Sequence, residues 1–183
     1  MTRPHAKAIF IHGNGGGTAE GGWLPAVQRE LERAGLEVTN RTFPDNVKAR
    51  AKYWLPFITE LGADENTILV GHSSGAVAAL RYAEDHRILG SVLVGACYTD
   101  LGDPTERVSG YYSDPWNWSA IKANQQWILQ YASPDDPYIP VAEARYIAKQ
   151  LNTKYFELPK RGHFEDREFS ELAPAIMKQI TSK

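Results

Sequence analysis

Short apolar runs alternate with longer amphipathic stretches along this chain. Residues 7–11 (KAIFI), 36–42 (LEVTNRT), 67–70 (TILV), 91–95 (SVLVG), 127–132 (WILQYA) and 154–158 (KYFEL) have the length and apolar density of strands. Several are nearly continuous in apolar residues, as a strand must be when helices cover both faces of a parallel sheet. Between them, residues 24–33, 47–60, 74–84, 141–150 and 168–180 repeat their apolar positions at helical spacing. Gly35 beyond the first of these and Pro140 ahead of the fourth are fitting boundary residues. The alternation predicts an α/β fold with an open, doubly wound, mostly parallel sheet of about six strands, helices on both faces and right-handed crossovers. No repeat or low-complexity linker interrupts it, so residues 1–183 are expected to form a single domain.

One segment breaks the rhythm. Residues 98–118 carry Pro104, Gly110, Tyr111, Tyr112, Pro115, Trp116 and Trp118. A long irregular connection in a compact domain is usually functional or disordered, and this aromatic content argues against disorder. Two readings stand: a wall over a site, or a cover for the edge of the sheet.

Composition narrows the partners. With 183 residues and 43% hydrophobic content, the chain can bury one sizeable core. The net charge is -2 and the 20 basic residues are scattered, which gives no footprint for nucleic acid or an acidic membrane. A single cysteine, Cys97, excludes an internal disulfide and fits a reducing compartment. Residues 1–7 lack the apolar core of a leader, and no apolar run approaches the ~20 residues that span a bilayer. A cytoplasmic protein is expected, small enough for the nucleus as well.

The candidate chemistry begins at Gly71-His72-Ser73-Ser74-Gly75, directly after a strand and at the head of an Ala-rich helix. A serine between two glycines at a strand-to-helix turn has the form of a nucleophile elbow, in which the tight backbone leaves the hydroxyl exposed above the sheet. The letters alone are weak, since roughly one chain in sixteen of this length would carry them by accident at average glycine and serine usage. Context decides. A serine hydroxyl needs a base, and in this arrangement the order along the chain is serine, acid, histidine.

Two histidines follow Ser73. His86 ends the helix that Ser73 opens, on the wrong side of the sheet, whereas His163 lies in the loop after the last strand, in Lys160-Arg161-Gly162-His163-Phe164. His163 is therefore the expected base. The acid should leave the preceding strand, which ends in Ser133-Pro134-Asp135-Asp136-Pro137. Asp136, directly before a proline, is favoured as the partner that fixes the imidazole tautomer. Asp135 would then be solvated or cap a turn, and Asp100 and Asp103 are weaker rivals.

An oxyanion needs two N–H donors. One is expected from Ser74, at a helix N-terminus. The other is expected from His12-Gly13-Asn14-Gly15-Gly16-Gly17 after the first strand, from Asn14 or, failing that, Gly15. That loop does not have the G-x-G-x-x-G spacing of a nucleotide cradle. His12 and His72 read as strand-end residues with satisfied hydrogen bonds. No cluster has metal-ligand spacing, so neither metal nor cofactor is expected.

With these residues in place, the chain resembles the family of small, lid-less serine hydrolases of the retinoblastoma-binding protein 9 type, which have the α/β-hydrolase fold. The resemblance spans almost the whole sequence. It runs through Gly13-Asn14-Gly15-Gly16-Gly17, Trp54-Leu55-Pro56-Phe57, Gly71-His72-Ser73-Ser74-Gly75-Ala76 and Arg81-Tyr82-Ala83-Glu84. It continues through Ser109-Gly110-Tyr111, Pro115-Trp116-x-Trp118, Ile121-Lys122-Ala123-Asn124, Asp135-Asp136-Pro137 and Gly162-His163-Phe164. The family's triad falls on Ser73, Asp136 and His163. Its namesake carries an L-x-C-x-E motif for retinoblastoma-type partners; here the matching stretch is Leu61-Gly62-Ala63-Asp64-Glu65, with alanine in place of cysteine, so that partner is not expected.

The expected activity is hydrolysis of small esters or amides through an acyl-enzyme, with an apolar pocket supplied by residues 111–118. The alternative is a protein-interaction module on a hydrolase scaffold with vestigial turnover. Carbon–carbon or haloacid chemistry on the same fold is a more distant third, since fold alone does not select a chemistry.

Overall fold

A computed structural model describes residues 6–181; most of the stretch read above for a leader lies outside them. Six strands, β1 (Lys7–Ile11), β2 (Glu37–Asn40), β3 (Thr67–His72), β4 (Gly90–Val94), β5 (Trp127–Ala132) and β6 (Lys154–Glu157), form one sheet in the order β2-β1-β3-β4-β5-β6. Every pairing is parallel. The helices are α1 (Leu24–Arg33), α2 (Ala51–Glu60), α3 (Ser74–Asp85), α4 (Pro104–Arg107), α5 (Trp118–Ala123), α6 (Val141–Leu151) and α7 (Leu172–Thr181).

The two-residue period of the strands divides the core. Ala8, Phe10, Ile68, Val70, Val92, Val94, Leu129 and Tyr131 pack against Leu24, Val27 and Leu31 of α1 and Leu172, Ile176 and Ile180 of α7. Their alternates Ile9, Ile11, Leu69, Leu93 and Ile128 face α2, α3, α5 and α6 through Trp54, Ile58, Val77, Leu80, Ile121 and Ile147. Both faces of the central strands are therefore buried, which is why β3 and β4 read as unbroken apolar runs. Helix α3 is buried along almost its whole length, and small side chains (Gly75, Ala76, Ala78, Ala79, Ala83) let it lie close to the sheet.

Four departures from the sequence reading have local causes. Helix α2 starts at Ala51 rather than residue 47, because Asp45 and Ala49 have φ of 52° and 50°, a conformation no α-helix of L-residues continues through. The Asp45 carboxylate holds that turn by accepting from the Arg50 N–H at 3.1 Å and from its guanidinium at 2.8 and 3.0 Å. Helix α7 starts at Leu172 rather than residue 168, since Phe169 is buried against Trp23, Tyr131 and Phe164 in the turn before it. The edge strands β2 and β6 are shorter than expected and only half buried. Finally, residues 98–118 contain the short helix α4 and lead into α5, whose start is capped by the Asn117 side chain accepting from the Ala120 N–H.

The aromatic segment is fastened to α3. Arg81 is buried; its guanidinium donates to the carbonyls of Tyr111 and Asp114 at 2.7 Å, pairs with Glu84 at 2.8 Å and lies 3.6 Å from the centre of the Trp116 ring. Trp116 stacks on Trp118, and Tyr98 on Tyr146 of α6. Most of the aromatic mass thus covers helices, not the strand ends. Residues 61–65 close α2 and turn: Gly62 has φ of 83°, and Asp64 accepts from the Asn66 N–H at 2.9 Å. No helix among the described residues is long and apolar enough to cross a membrane.

Candidate active site

Beyond its carboxyl end β1 leads to β2 on one side and β3 lies on the other, so the crevice above β1 and β3 is the switch point where open α/β sheets bind ligands. Ile11 is in register with Gly71, which brings the loop after β1 beside the turn after β3. Ser73 occupies that turn with φ 56° and ψ -120°, a strained conformation costing about 1–3 kcal/mol that the surrounding packing must hold. A side chain at Gly71 would collide with the backbone of Gly75 and Ala76, and one at Gly75 with the carbonyl oxygens of Ile11 and His12. Both glycines are thus dictated by the close approach of α3 to the sheet. The Ser73 N–H is tied to the Val94 carbonyl at 2.8 Å. The Ser74 N–H belongs to the first turn of α3, whose N–H groups lack partners inside the helix.

The loops after β5 and β6 meet. His163 Nδ1 lies 2.7 Å from Asp136 Oδ2, and the other carboxylate oxygen accepts from the N–H of Tyr138 at 2.8 Å and of Ile139 at 3.0 Å. The two side chains are only 9% and 3% exposed. Burial works against charge on Asp136, but the bond to His163 and the two backbone donors outweigh it and hold the carboxyl below its usual range. His72 steadies His163 from below: its Nε2–H donates to the His163 carbonyl at 2.7 Å. Burial, helped by the neighbouring His163, lowers the His72 pKa to about 4, so this ring stays neutral.

The rivals are occupied elsewhere. Asp135 is exposed and accepts from Ser133 Oγ and from the Lys160 N–H, bracing the loop that carries His163. Asp100 pairs with Arg107, Asp103 caps α4, and His86 stacks on Tyr82. Cys97 borders the same cleft, but burial pushes its thiol up to about 12, which leaves no thiolate at neutral pH. Sequence reasoning passed over Gly95. Its φ is 62°, and a Cβ there would sit 3.4 Å from His163 Cε1, so the His163 ring rests directly on this backbone. Ser73 and His163 border one cleft but are not hydrogen-bonded, as often holds before substrate draws such pairs together.

The loop after β1 is held at most of its polar groups. The Gly15 and Gly16 N–H groups donate to the carbonyls of Val47 at 2.9 Å and Asn46 at 3.2 Å, so both are engaged within the loop. The Asn14 N–H has no acceptor among the described residues. His12 Nε2 accepts from the Phe43 N–H at 2.8 Å; its proton therefore sits on Nδ1, which donates to the Gly13 carbonyl at 2.7 Å. Burial lowers the His12 pKa and keeps this tautomer neutral. His12 is thus bonded at both ring nitrogens and His72 at Nε2, as structural histidines at the ends of β1 and β3.

These parts surround a cleft of about 980 Å³. Asp103, Glu106 and Glu165 border it, and among the described residues no lysine or arginine does. Glu106 is the half-buried one: burial pushes its carboxyl up, opposed by a 2.6 Å bond from Asn14 Nδ2. Of the aromatic segment only Tyr112 reaches the cleft, while Val47, Leu101 and Tyr138 form an exposed apolar rim. No group of potential metal ligands occurs among the described residues.

The all-parallel sheet, the strained serine turn at its switch point and the strand-end loops define an α/β-hydrolase. Comparison with known proteins narrows this to a family: the serine hydrolase profile matches residues 8–181, and the chain belongs to that family. It is 46% identical over 178 residues to the serine hydrolase RBBP9 of Rattus norvegicus, covering 96% of each chain. It is 24% identical over 182 residues to the hydrolase YdeN of Bacillus subtilis, covering 96% of this chain and 95% of that one. The crystal structure of the ydeN gene product superposes with a TM-score of 0.87 at 22% identity, covering 97% of this chain and 100% of the other. Est1E from Butyrivibrio proteoclasticus, solved with ferulic acid bound, superposes with a TM-score of 0.76 at 17% identity, covering 96% and 89%.

Proposed function

We propose that this serine hydrolase cleaves small ester or amide substrates through an acyl-enzyme on Ser73, with His163 as general base and acid and Asp136 as its orienting carboxylate. The observation that carries the reading is the 2.7 Å contact between His163 Nδ1 and Asp136 Oδ2, at the strand ends facing the serine turn. Ser73 Oγ attacks the carbonyl carbon while its proton passes to His163 Nε2. The negative charge that develops on the carbonyl oxygen is held by the N–H groups of Asn14 and Ser74. His163 then gives the proton to the leaving alkoxide or amine, and water repeats the sequence to release the acid and restore Ser73. Asp136 keeps the Nδ1 proton in place and stabilises the imidazolium.

The acidic border of the cleft, which no cation among the described residues faces, favours neutral or positively charged substrates over anionic ones. The apolar rim suits a substrate with an apolar end. A fluorophosphonate probe tests the mechanism: wild type is expected to be labelled and Ser73→Ala not. Absence of labelling in both, or equal labelling in both, would remove the nucleophile from this account.

A further inference from the structure

Glu106 stands 92 residues from Asn14 in the chain, yet its carboxylate accepts from Asn14 Nδ2 at 2.6 Å, across the cleft from the loop after β1. That bond acts on a specific peptide. The Asn14 N–H belongs to the unit joining Gly13 to Asn14. One end of the unit, the Gly13 carbonyl, is held by His12 Nδ1 at 2.7 Å. The other end is the Asn14 Cα, whose carboxamide Glu106 grips, while the Asn14 carbonyl accepts from the Gly17 N–H at 3.2 Å. Since a peptide unit is planar, fixing both ends fixes the direction of the N–H between them.

Glu106 is itself a fixed anchor. It lies on α4, which Asp103 caps through the Thr105 N–H at 2.7 Å, and its carbonyl accepts from Ser109 Oγ at 2.6 Å. Its second oxygen lies 3.5 Å from Tyr112 OH, which in turn lies 3.1 Å from Cys97 Sγ.

We infer that Glu106 is a positioning residue, acting through the Asn14 side chain to aim the Asn14 N–H at the oxyanion. The inference rests on the acyl-transfer reading above and deepens it. Oxyanion donors act because they are preorganised, and removing one outright typically costs about 10²–10³ in kcat. Loosening one should cost less. The task requires an acceptor for Asn14 Nδ2, not a charge, so glutamine can perform it, with its own amide group turned to the Tyr112 oxygen.

The test is steady-state hydrolysis of a neutral ester, p-nitrophenyl acetate, by wild type, Glu106→Ala, Glu106→Gln, Asn14→Ala and the double alanine variant, with thermal unfolding of each. Glu106→Ala is expected to lower kcat by roughly ten- to a hundredfold with little change in KM, a partial loss of one donor. Glu106→Gln should recover most of that rate, and the double variant should be no slower than the slower single one, because both break one link. Unchanged kcat in Glu106→Ala, a loss confined to KM, a glutamine variant as slow as alanine, or multiplying losses would each overturn the inference. Should Glu106→Ala fail to fold, Asn14→Ala reads the same link, and an unchanged kcat there is equally fatal. Ser73→Ala separates the two layers: if it turns over at the wild-type rate the hydrolase reading fails, whereas if it is dead and the Glu106 variants are normal only this inference fails.

Discussion

At the scale of single residues, the candidate site separates two neighbouring aspartates by what each carboxylate touches. Asp136 meets His163, whereas Asp135 braces Ser133 and Lys160. Asp136→Asn preserves shape but leaves the imidazole with the wrong tautomer, and kcat is expected to fall by about 10⁴. Asp135→Asn should leave kcat within the same order of magnitude. Equal losses in ester hydrolysis would contradict the assignment. Gly95→Ala makes a second point at this scale. It strains a backbone at φ 62° and crowds His163 Cε1, so it should lower kcat while leaving fluorescence-detected binding of a product acid intact. Ser73, Ser74, Asn14, Asp136 and His163 could be put forward as candidates from the sequence, because each sits in a short motif next to a strand end. Glu106 was not. It lies in an irregular connection, belongs to no motif, and acquires its partner only when residues 92 apart in the chain are brought together.

Secondary-structure elements were legible where burial alone sets the pattern. β1 and β5 were delimited from sequence because their short length and their β-branched and aromatic residues favour a strand over a buried helical turn. Boundaries failed where individual side chains override periodicity, as where Asp45 binds Arg50 and delays α2, or where Phe169 is drawn into the core ahead of α7. The contact between α3 and β1 is the tightest of these relations, and it yields a prediction. Gly75→Ala would drive a methyl group into the Ile11 and His12 carbonyls, which are backbone atoms at the end of β1 and the residue after it. Destabilisation of at least about 3 kcal/mol in urea unfolding is expected, above the usual cost of overpacking an adaptable core. A change within experimental error would mean that helix and sheet can part at this point.

For the whole molecule, the two histidines beneath the site make acid stability a readout of burial. His72 has a pKa of about 4 in the native chain against an ordinary 6.5. Between those values the unfolded chain binds a proton that the native one excludes, so stability falls as pH drops from 6.5 to 4 and this contribution then levels off. The lost stability is about 3 kcal/mol, the difference between 6.5 and about 4 at roughly 1.4 kcal/mol per pH unit. Asp136 acts in the same direction: its carboxyl is held below the usual range, so its contribution is present above the unfolded value and disappears as pH falls through the native one. Urea midpoints measured from pH 7 to 4 should decline, and His72→Gln should flatten part of that decline between 6.5 and 4. An identical slope in the variant would show that His72 is not held neutral.

The central claim is that hydrolysis passes through a covalent acyl group on Ser73, in a site where His163 moves the proton and the Asp136 carboxylate orients it. It is tested most directly by mixing the protein with p-nitrophenyl acetate, quenching in acid before the first turnover is complete, and measuring intact and peptide masses. The account expects a transient increase equal to one acetyl group, located on the peptide containing Ser73 and absent in Ser73→Ala. Turnover of the ester with no adduct at any time, and at an undiminished rate in Ser73→Ala, would contradict it.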